Sequence, residues 1–525
     1  MSTTKKSSQG RPSGSGRKSG MSSRQKWKIE ATLLLFLQIL VSLLAVVVVA
    51  KSKLFPILYV LLLVIILWIL GFLAYALMLL VKKRKGQKKS SFYLKRGLGT
   101  IISVLTMIGC LMAANMVSRL DSTISNVAID SQVEIEDTIS VYVMATNPAS
   151  AITDLATARF AVAKNDEGYE TYTKTIDAIK DMDGMANLTV VEVDSIFEGV
   201  DALYAGQVDA LLMNINKEEM VIEMEGYETF VQDTKVIYQH KVVTIVEIKE
   251  ADGPKDVTKD VFAIYCSGSD TRASKLSKSR SDVNIIAFVN PQTHQVLLIN
   301  TPRDYYVPIS ISSNGTKDKL THCGLYGFEC SMDTLGALYD TNINYYMQIN
   351  FNGFMTLVDA IGGVTVESEK TFVTHHYQRQ IYEGMNELDG EAALGFARER
   401  YAFSDGDNAR GRNCMRLIAA IVDKMSSGTT VLSNYGPIMD SMEGMFATSL
   451  SADEMQALVR MQLGDMSKWD VRQYAVTGTG DNCTTYSIPN KTAYVMVPDQ
   501  ASVDKAKELI DKFESGAELT DADFQ

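Results

Sequence analysis

Three apolar runs in the first quarter of this 525-residue chain constrain it more than any other feature. ATLLLFLQILVSLLAVVVVA (31–50) and LFPILYVLLLVIILWILGFLAYALMLLV (54–81) are each long enough to cross a hydrocarbon core of about 30 Å at about 1.5 Å per residue. LGTIISVLTMIGCLMAANMV (98–117) carries no charge and is predicted to be a third span. Eight Lys and Arg precede the first span and eight more lie in the loop 82–96, so the positive-inside bias places both segments in the cytoplasm and the large C-terminal region outside. A cleaved signal peptide fits poorly, because the basic lead is long and a second apolar run follows within three residues. Residues 1–30, rich in Ser, Gly, Lys and Arg, read as a disordered cytoplasmic tail.

Residues 1–120 hold 19 Lys and Arg against the single acid Glu30, whereas the remaining residues hold 32 basic against 61 acidic side chains. The basic run at 82–96 is accounted for by the membrane surface, and the acidic exported part argues against nucleic-acid binding. A chain of this length exceeds one hydrophobic core. Strand-like and helix-like stretches alternate through 121–250 (TISVYVMA, TYTKTIDAIKDMDG, LTVVEV), predicting a small α/β accessory domain without a nucleophile and base at recognisable spacing. ADGPKDVTKD (251–260) reads as a linker, 261–427 as the core of a second α/β domain, 428–510 as a part packed on or following it, and 511–525 as a solvated acidic tail. The five cysteines beyond the spans form no zinc pattern, and Cys323 with Cys330 would close a short disulfide loop if oxidised.

Within 261–427 arginines and aspartates alternate. Arg272, Arg280, Arg303, Arg398, Arg400, Arg410 and Arg412 offer planar forks that match phosphate oxygens, and Asp270, Asp282, Asp304, Asp405 and Asp407 can neutralise them or hold a hard divalent cation. Surface ion pairs worth about 0–1 kcal/mol each are the plainer explanation of any one pair. Most of these charges, however, end apolar strand-like runs (FAIYCSGSD, VNIIAFVNP, QVLLINTPRD), where an α/β sheet delivers ligand contacts. The set predicts a pyrophosphate site.

SGSDTR (267–272), SRSD (279–282), INTPRDYYV (299–307), DKLTHCGLYG (318–327), FNGFMTLVDAIGGV (351–364) and LDGEAALGFARERYAFSDGDNARGRN (388–413) resemble, in order and spacing, the LytR-CpsA-Psr family of membrane-anchored bacterial enzymes. The resemblance implies a mixed sheet sandwiched by helices, beside the accessory domain and the three transmembrane helices. It implies a phosphotransferase that moves a glycopolymer (teichoic acid, capsule or similar) from polyprenyl pyrophosphate to peptidoglycan, with Mg²⁺ as cofactor and the lipid tail in an apolar groove. By motif, Arg280, Arg303, Arg398, Arg400 and Arg410 fall on its pyrophosphate-binding arginines, and Asp270 and Asp282 on its magnesium carboxylates. Asp304 matches the acid of its PRD motif. Asp282, Arg303, Asp304, Arg398 and Arg400 are thus the catalytic candidates, and Arg272, Arg280, Lys319, Asp407, Arg410 and Cys414 the substrate-binding ones; Cys414 stands where the family often has Gln. The rows IIAFV, FMTLVDAI and LIAAIV are candidates for the lipid slot, and His322 for a supporting role. A hydrolase using water as acceptor and a non-enzymatic exported regulator are the alternatives.

Overall fold

The computed structural model describes residues 21–81, 89–127, 132–247, 251–269, 278–427, 446–489 and 491–525. The chain divides into two compact units, 1–118 and 119–525. In the first, Gln25–Lys51, Ile57–Leu80 and Ser90–Ser122 are long and apolar enough to cross a membrane. The first helix begins at Ser23, which shortens the expected tail of 1–30. Ser22 caps it: its side chain accepts the Gln25 N–H at 3.3 Å, and Gln25 Oε1 accepts the Ser22 N–H at 3.0 Å. The third helix runs on to Val127, so regular accessory structure starts at Gln132 and not at 121. Between helices, buried Ser103 donates from Oγ to Gln38 Oε1 at 2.7 Å, which satisfies polar groups that lipid would leave unpaired.

The described residues of the second unit form two large sheets and four two-stranded ones. The accessory sheet has five strands in the order Thr189–Val193, Arg159–Ala163, Ala210–Asn214, Gln132–Met144, Thr234–Glu247. Its first three strands are parallel, because helices Tyr169–Lys180 and Ile196–Tyr204 supply crossovers, and the last two are antiparallel. Phe160, Tyr172, Leu203, Leu211 and Phe230 lie in its core.

The larger sheet has six strands in the order Phe446–Thr448, Tyr345–Asn350, Phe262–Ser269, Ser281–Asn290, Gln295–Asn300, Asp470–Ala475. Pairing is mixed: Tyr345–Asn350 runs parallel to Phe262–Ser269, and Asp470–Ala475 parallel to Gln295–Asn300, around antiparallel central pairs. Both faces are covered. Ile286, Phe288, Leu297 and Ile299 pack against helices Phe328–Tyr339 and Gln500–Glu514, while Ile285, Ala287, Val296 and Leu298 face Cys414 and Met415 of helix Asp407–Ser426. Two-sided burial explains why these strands read as continuous apolar runs.

Strands beyond 427 form both edges of this sheet, so the C-terminal part completes the domain. The expected solvated tail of 511–525 is also anchored. Leu519 is 2% exposed within the main core, and Gln295 clasps its backbone, donating from Nε2 to Leu519 O at 2.9 Å and accepting the Leu519 N–H at 2.8 Å. Cys323 and Cys330 are buried neighbours and stand as free thiols.

Candidate active site

The C-terminal end of strand Gln295–Asn300 leads into Thr301-Pro302-Arg303-Asp304, held rigidly by backbone bonds. Thr301 N–H reaches Asn284 O at 2.9 Å, and Arg303 O accepts the Thr321 N–H at 2.8 Å. The neighbouring strand begins at Ser281, whose hydroxyl lies 2.8 Å from Tyr265 Oη and 2.9 Å from Ser267 Oγ in a buried network. That fixes Arg280 and Asp282 on either side of Ser281. The third contributor is the first turn of helix Asp407–Ser426. It approaches closely because Gly411 has no Cβ, which would lie 2.2 Å from Asn300 Nδ2. An early helix start puts Arg410 and Cys414 on one face, and both line the pocket with Asp282, Arg303 and Asp407.

These segments form one ion network. Arg303 Nη1 donates to Asp282 Oδ1 at 2.8 Å, and Arg303 Nε lies 3.6 Å from Asp304 Oδ2 and 3.9 Å from Asp407 Oδ1. Arg410 Nη2 is 2.6 Å from Asp407 Oδ1 and donates to the Asp282 carbonyl at 3.0 Å, and its Nη1 is 3.9 Å from Asp282 Oδ2. Lys319 Nζ stands 3.6 Å from Asp304 Oδ1. Burial alone would push the Asp282 carboxyl up, but Arg410, Arg303 and Arg280 outweigh it and hold the group well below the usual carboxylate range. Burial likewise opposes the Arg303 charge, and Asp282, Asp304 and Asp407 reverse this and raise its pKa. Asp407 is raised, because burial exceeds the pull of Arg410 and Arg303. Arg280 is lowered to about 10, chiefly by burial. Burial also pushes the Cys414 thiol up to about 12, so it serves as a neutral wall that donates to Ala397 O at 3.5 Å.

The structure therefore brings together Arg280, Asp282, Arg303, Asp304, Lys319, Asp407, Arg410 and Cys414. Arg398 lies over the Phe351 ring at 4.3 Å, just past Asn350, which pairs with Ser269 at the exit of strand Phe262–Ser269. Arg400 donates to Tyr401 Oη at 2.8 Å. Arg412 pairs instead with Glu369 and Asp405. Asp270 and Arg272 lie outside the described residues.

His322 was expected in a supporting role, but its partner Asp318 and the close-packed Gly324 escaped sequence reasoning. His322 Nδ1 is 2.7 Å from Asp318 Oδ1, both residues are fully buried, and Asp318 Oδ1 also accepts the Lys319 N–H at 2.7 Å. The Asp318-x-x-x-His322 spacing was the available signal. Gly324 lets helix Leu320–Tyr326 press on the strand entry: a Cβ there would lie 2.5 Å from Ser279 O and 2.7 Å from Ser281 N. Gly324→Ala is expected to cost about 1–3 kcal/mol through overpacking and to shift Arg280, read as a lower unfolding temperature and weaker phosphate binding.

A model of the LytR_cpsA_psr family matches residues 220–511, more than half of the chain. The chain belongs to this family. Among its relatives, the polyisoprenyl-teichoic acid–peptidoglycan teichoic acid transferase TagU of Enterococcus faecalis is 35% identical over 224 residues, covering 42% of this chain and 72% of that protein. The TagU of Bacillus subtilis is 28% identical over 257 residues, 49% and 79% of the two chains. The crystal structure of B. subtilis TagV aligns with 50% of this chain and 99% of that one, at 24% identity and a TM-score of 0.41. Every site residue named above lies within the stretch matched to the LytR-CpsA-Psr family, and most of the accessory sheet precedes it.

Proposed function

We propose that this LytR-CpsA-Psr protein is a membrane-anchored phosphotransferase that moves a glycopolymer from a polyprenyl-pyrophosphate carrier onto peptidoglycan outside the cell. The carrying observation is the buried network of Arg303, Arg410 and Lys319 interleaved with Asp282, Asp304 and Asp407. The names of the TagU relatives, as teichoic acid transferases acting on peptidoglycan, support a teichoic acid or similar polymer as cargo and peptidoglycan as acceptor. The basic segments before the first span and between the second and third support the topology.

In this reading an acceptor hydroxyl oxygen bonds to the phosphorus that carries the glycan. The bond from that phosphorus to the bridging oxygen breaks, and polyprenyl phosphate leaves. Phosphoryl transfer depends on positioning and charge compensation, which the Arg303 and Arg410 forks supply to the phosphate oxygens. Asp304, within 4 Å of both Arg303 and Lys319, is placed to take the hydroxyl proton. Asp282 Oδ1 is committed to Arg303 while Oδ2 keeps a 3.9 Å distance from Arg410, so an oxygen remains for a hard cation. Among the described residues no three His, Cys, Asp or Glu form a metal cage. Mg²⁺ binds through one or two protein carboxylates plus substrate phosphates. Asp282 with Asp270 would hold it, and it would supply further neutralisation of phosphate charge. Parts of the rows IIAFV, FMTLVDAI and LIAAIV pack around helix Asp407–Ser426, where they read equally as plain core and as the wall of a lipid slot.

The test is transfer from a polyprenyl-pyrophosphate glycan to peptidoglycan by the full chain in detergent, with products identified by mass. Glycan joined to peptidoglycan through a phosphodiester is expected, with turnover falling at least about tenfold in chelator and returning with Mg²⁺. Release of free glycan phosphate alone would assign a hydrolase.

A further inference from the structure

The deepest cations of the network are not met by catalytic-region carboxylates alone. Arg280 Nη1 is 2.6 Å from Glu223 Oε1, its Nη2 pairs with Glu219, and Lys319 Nζ is 2.5 Å from Glu223 Oε2. Both glutamates belong to the short helix Glu218–Ile222 and its C-cap, on the accessory side. Glu218 ties that helix back to the accessory sheet by accepting from Tyr142 Oη at 3.0 Å. Arg280 and Lys319 are 5% and 2% exposed, so with these pairs made they have little surface left for another anion.

Within the linked network, and with every carboxylate ionised, Arg280, Arg303, Lys319 and Arg410 outnumber Asp282, Asp304 and Asp407 by one charge. Glu219 and Glu223 turn this excess into a deficit of one. Like charges at such distances repel strongly once water is excluded, so carboxylates and a pyrophosphate cannot share these two cations. We propose that the accessory domain is an autoinhibitory latch: Glu219 and Glu223 occupy the phosphate-binding cations Arg280 and Lys319, and substrate binding requires the helix Glu218–Ile222 to withdraw. The latch rests on the assignment of this cluster to a phosphate-bearing substrate. Between turnovers it keeps two buried cations satisfied, where an unpaired buried charge would be costly.

The test uses the full chain in detergent with inorganic pyrophosphate as probe, titrated calorimetrically. The double variant Glu219→Gln/Glu223→Gln is expected to bind pyrophosphate about tenfold tighter than wild type or more, and Glu225→Gln, an exposed loss of one charge just past the helix, to bind as wild type does. Equal or weaker binding by a double variant of unchanged unfolding temperature overturns the latch. Should that variant fail to fold, amide exchange in wild type decides. Faster exchange at 218–226 on adding pyrophosphate supports the latch, and unchanged exchange overturns it. Arg303→Ala, which removes the charge as well as the fork, separates the two assignments: if it binds pyrophosphate as wild type does, the phosphate site itself is misassigned, whatever the glutamates do. Binding in neither wild type nor the double variant overturns both.

Discussion

Arg303→Lys is expected to slow transfer at least about tenfold, on the scale of the roughly 2.7–4 kcal/mol lost with a single oxyanion donor. Lysine keeps the charge but cannot donate through Nη1 to Asp282 while turning Nε toward the site. Where that fork meets the phosphate more strongly in the transition state than in the ground state, the loss falls on kcat and not on KM. Steady-state transfer with unfolding followed in parallel checks it. Arg159→Lys is the control, because Arg159 forks onto Asp209 within the accessory sheet at 3.0 Å through both Nε and Nη2. Wild-type turnover in Arg303→Lys, or an equal loss in the control, would remove Arg303 from the chemistry.

Asp318→Asn carries the largest expected effect on stability. The carboxylate is fully buried, with His322 on Oδ1 and the Ser487 hydroxyl and N–H on Oδ2, at 2.5 and 2.9 Å. Burial alone would raise its pKa; His322 and the hydrogen bonds outweigh it and lower the value. Removing one partner of such a buried pair costs about 3–5 kcal/mol at neutral pH. A depressed carboxylate contributes stability that is whole above its unfolded value of about 3.9 and fades as pH falls through the folded value. The gap between wild type and variant in denaturant melts should therefore be widest near neutrality and close in acid. A gap that is constant with pH would mean that Asp318 acts through packing alone.

Much of this site is legible in the sequence. Asp282 and Arg303 stand at the ends of apolar strands, and a central sheet brings such ends together whatever the loops between them do. Lys319, Asp407 and Arg410 follow from motif order. Glu219 and Glu223 are not legible, because Glu223 and Lys319 are 96 residues apart, one at the end of a short accessory helix and the other at a strand end of the catalytic domain. Neither periodicity nor spacing reports a contact between domains. The acidic end misled for a related reason: composition describes its exposed charged residues correctly, but the apolar Phe513 and Leu519 decide where it goes. Helix boundaries near the membrane missed by several residues, because apolarity marks the span whereas caps such as Ser22 mark the helix.

The clasp between Gln295 and Leu519 closes a separation of 224 residues, and the strand partnered by Gln295–Asn300 on its outer edge begins only at Asp470. A chain that emerges from its N-terminal side during synthesis exposes that strand long before its neighbour arrives. Its edge N–H and C=O groups stay open throughout, and closing so long a loop is slow. The catalytic sheet can be completed only after nearly the whole polypeptide has emerged, so a chain cut short before Asp470 keeps its spans and its arginines but presents an unpaired apolar edge prone to aggregation.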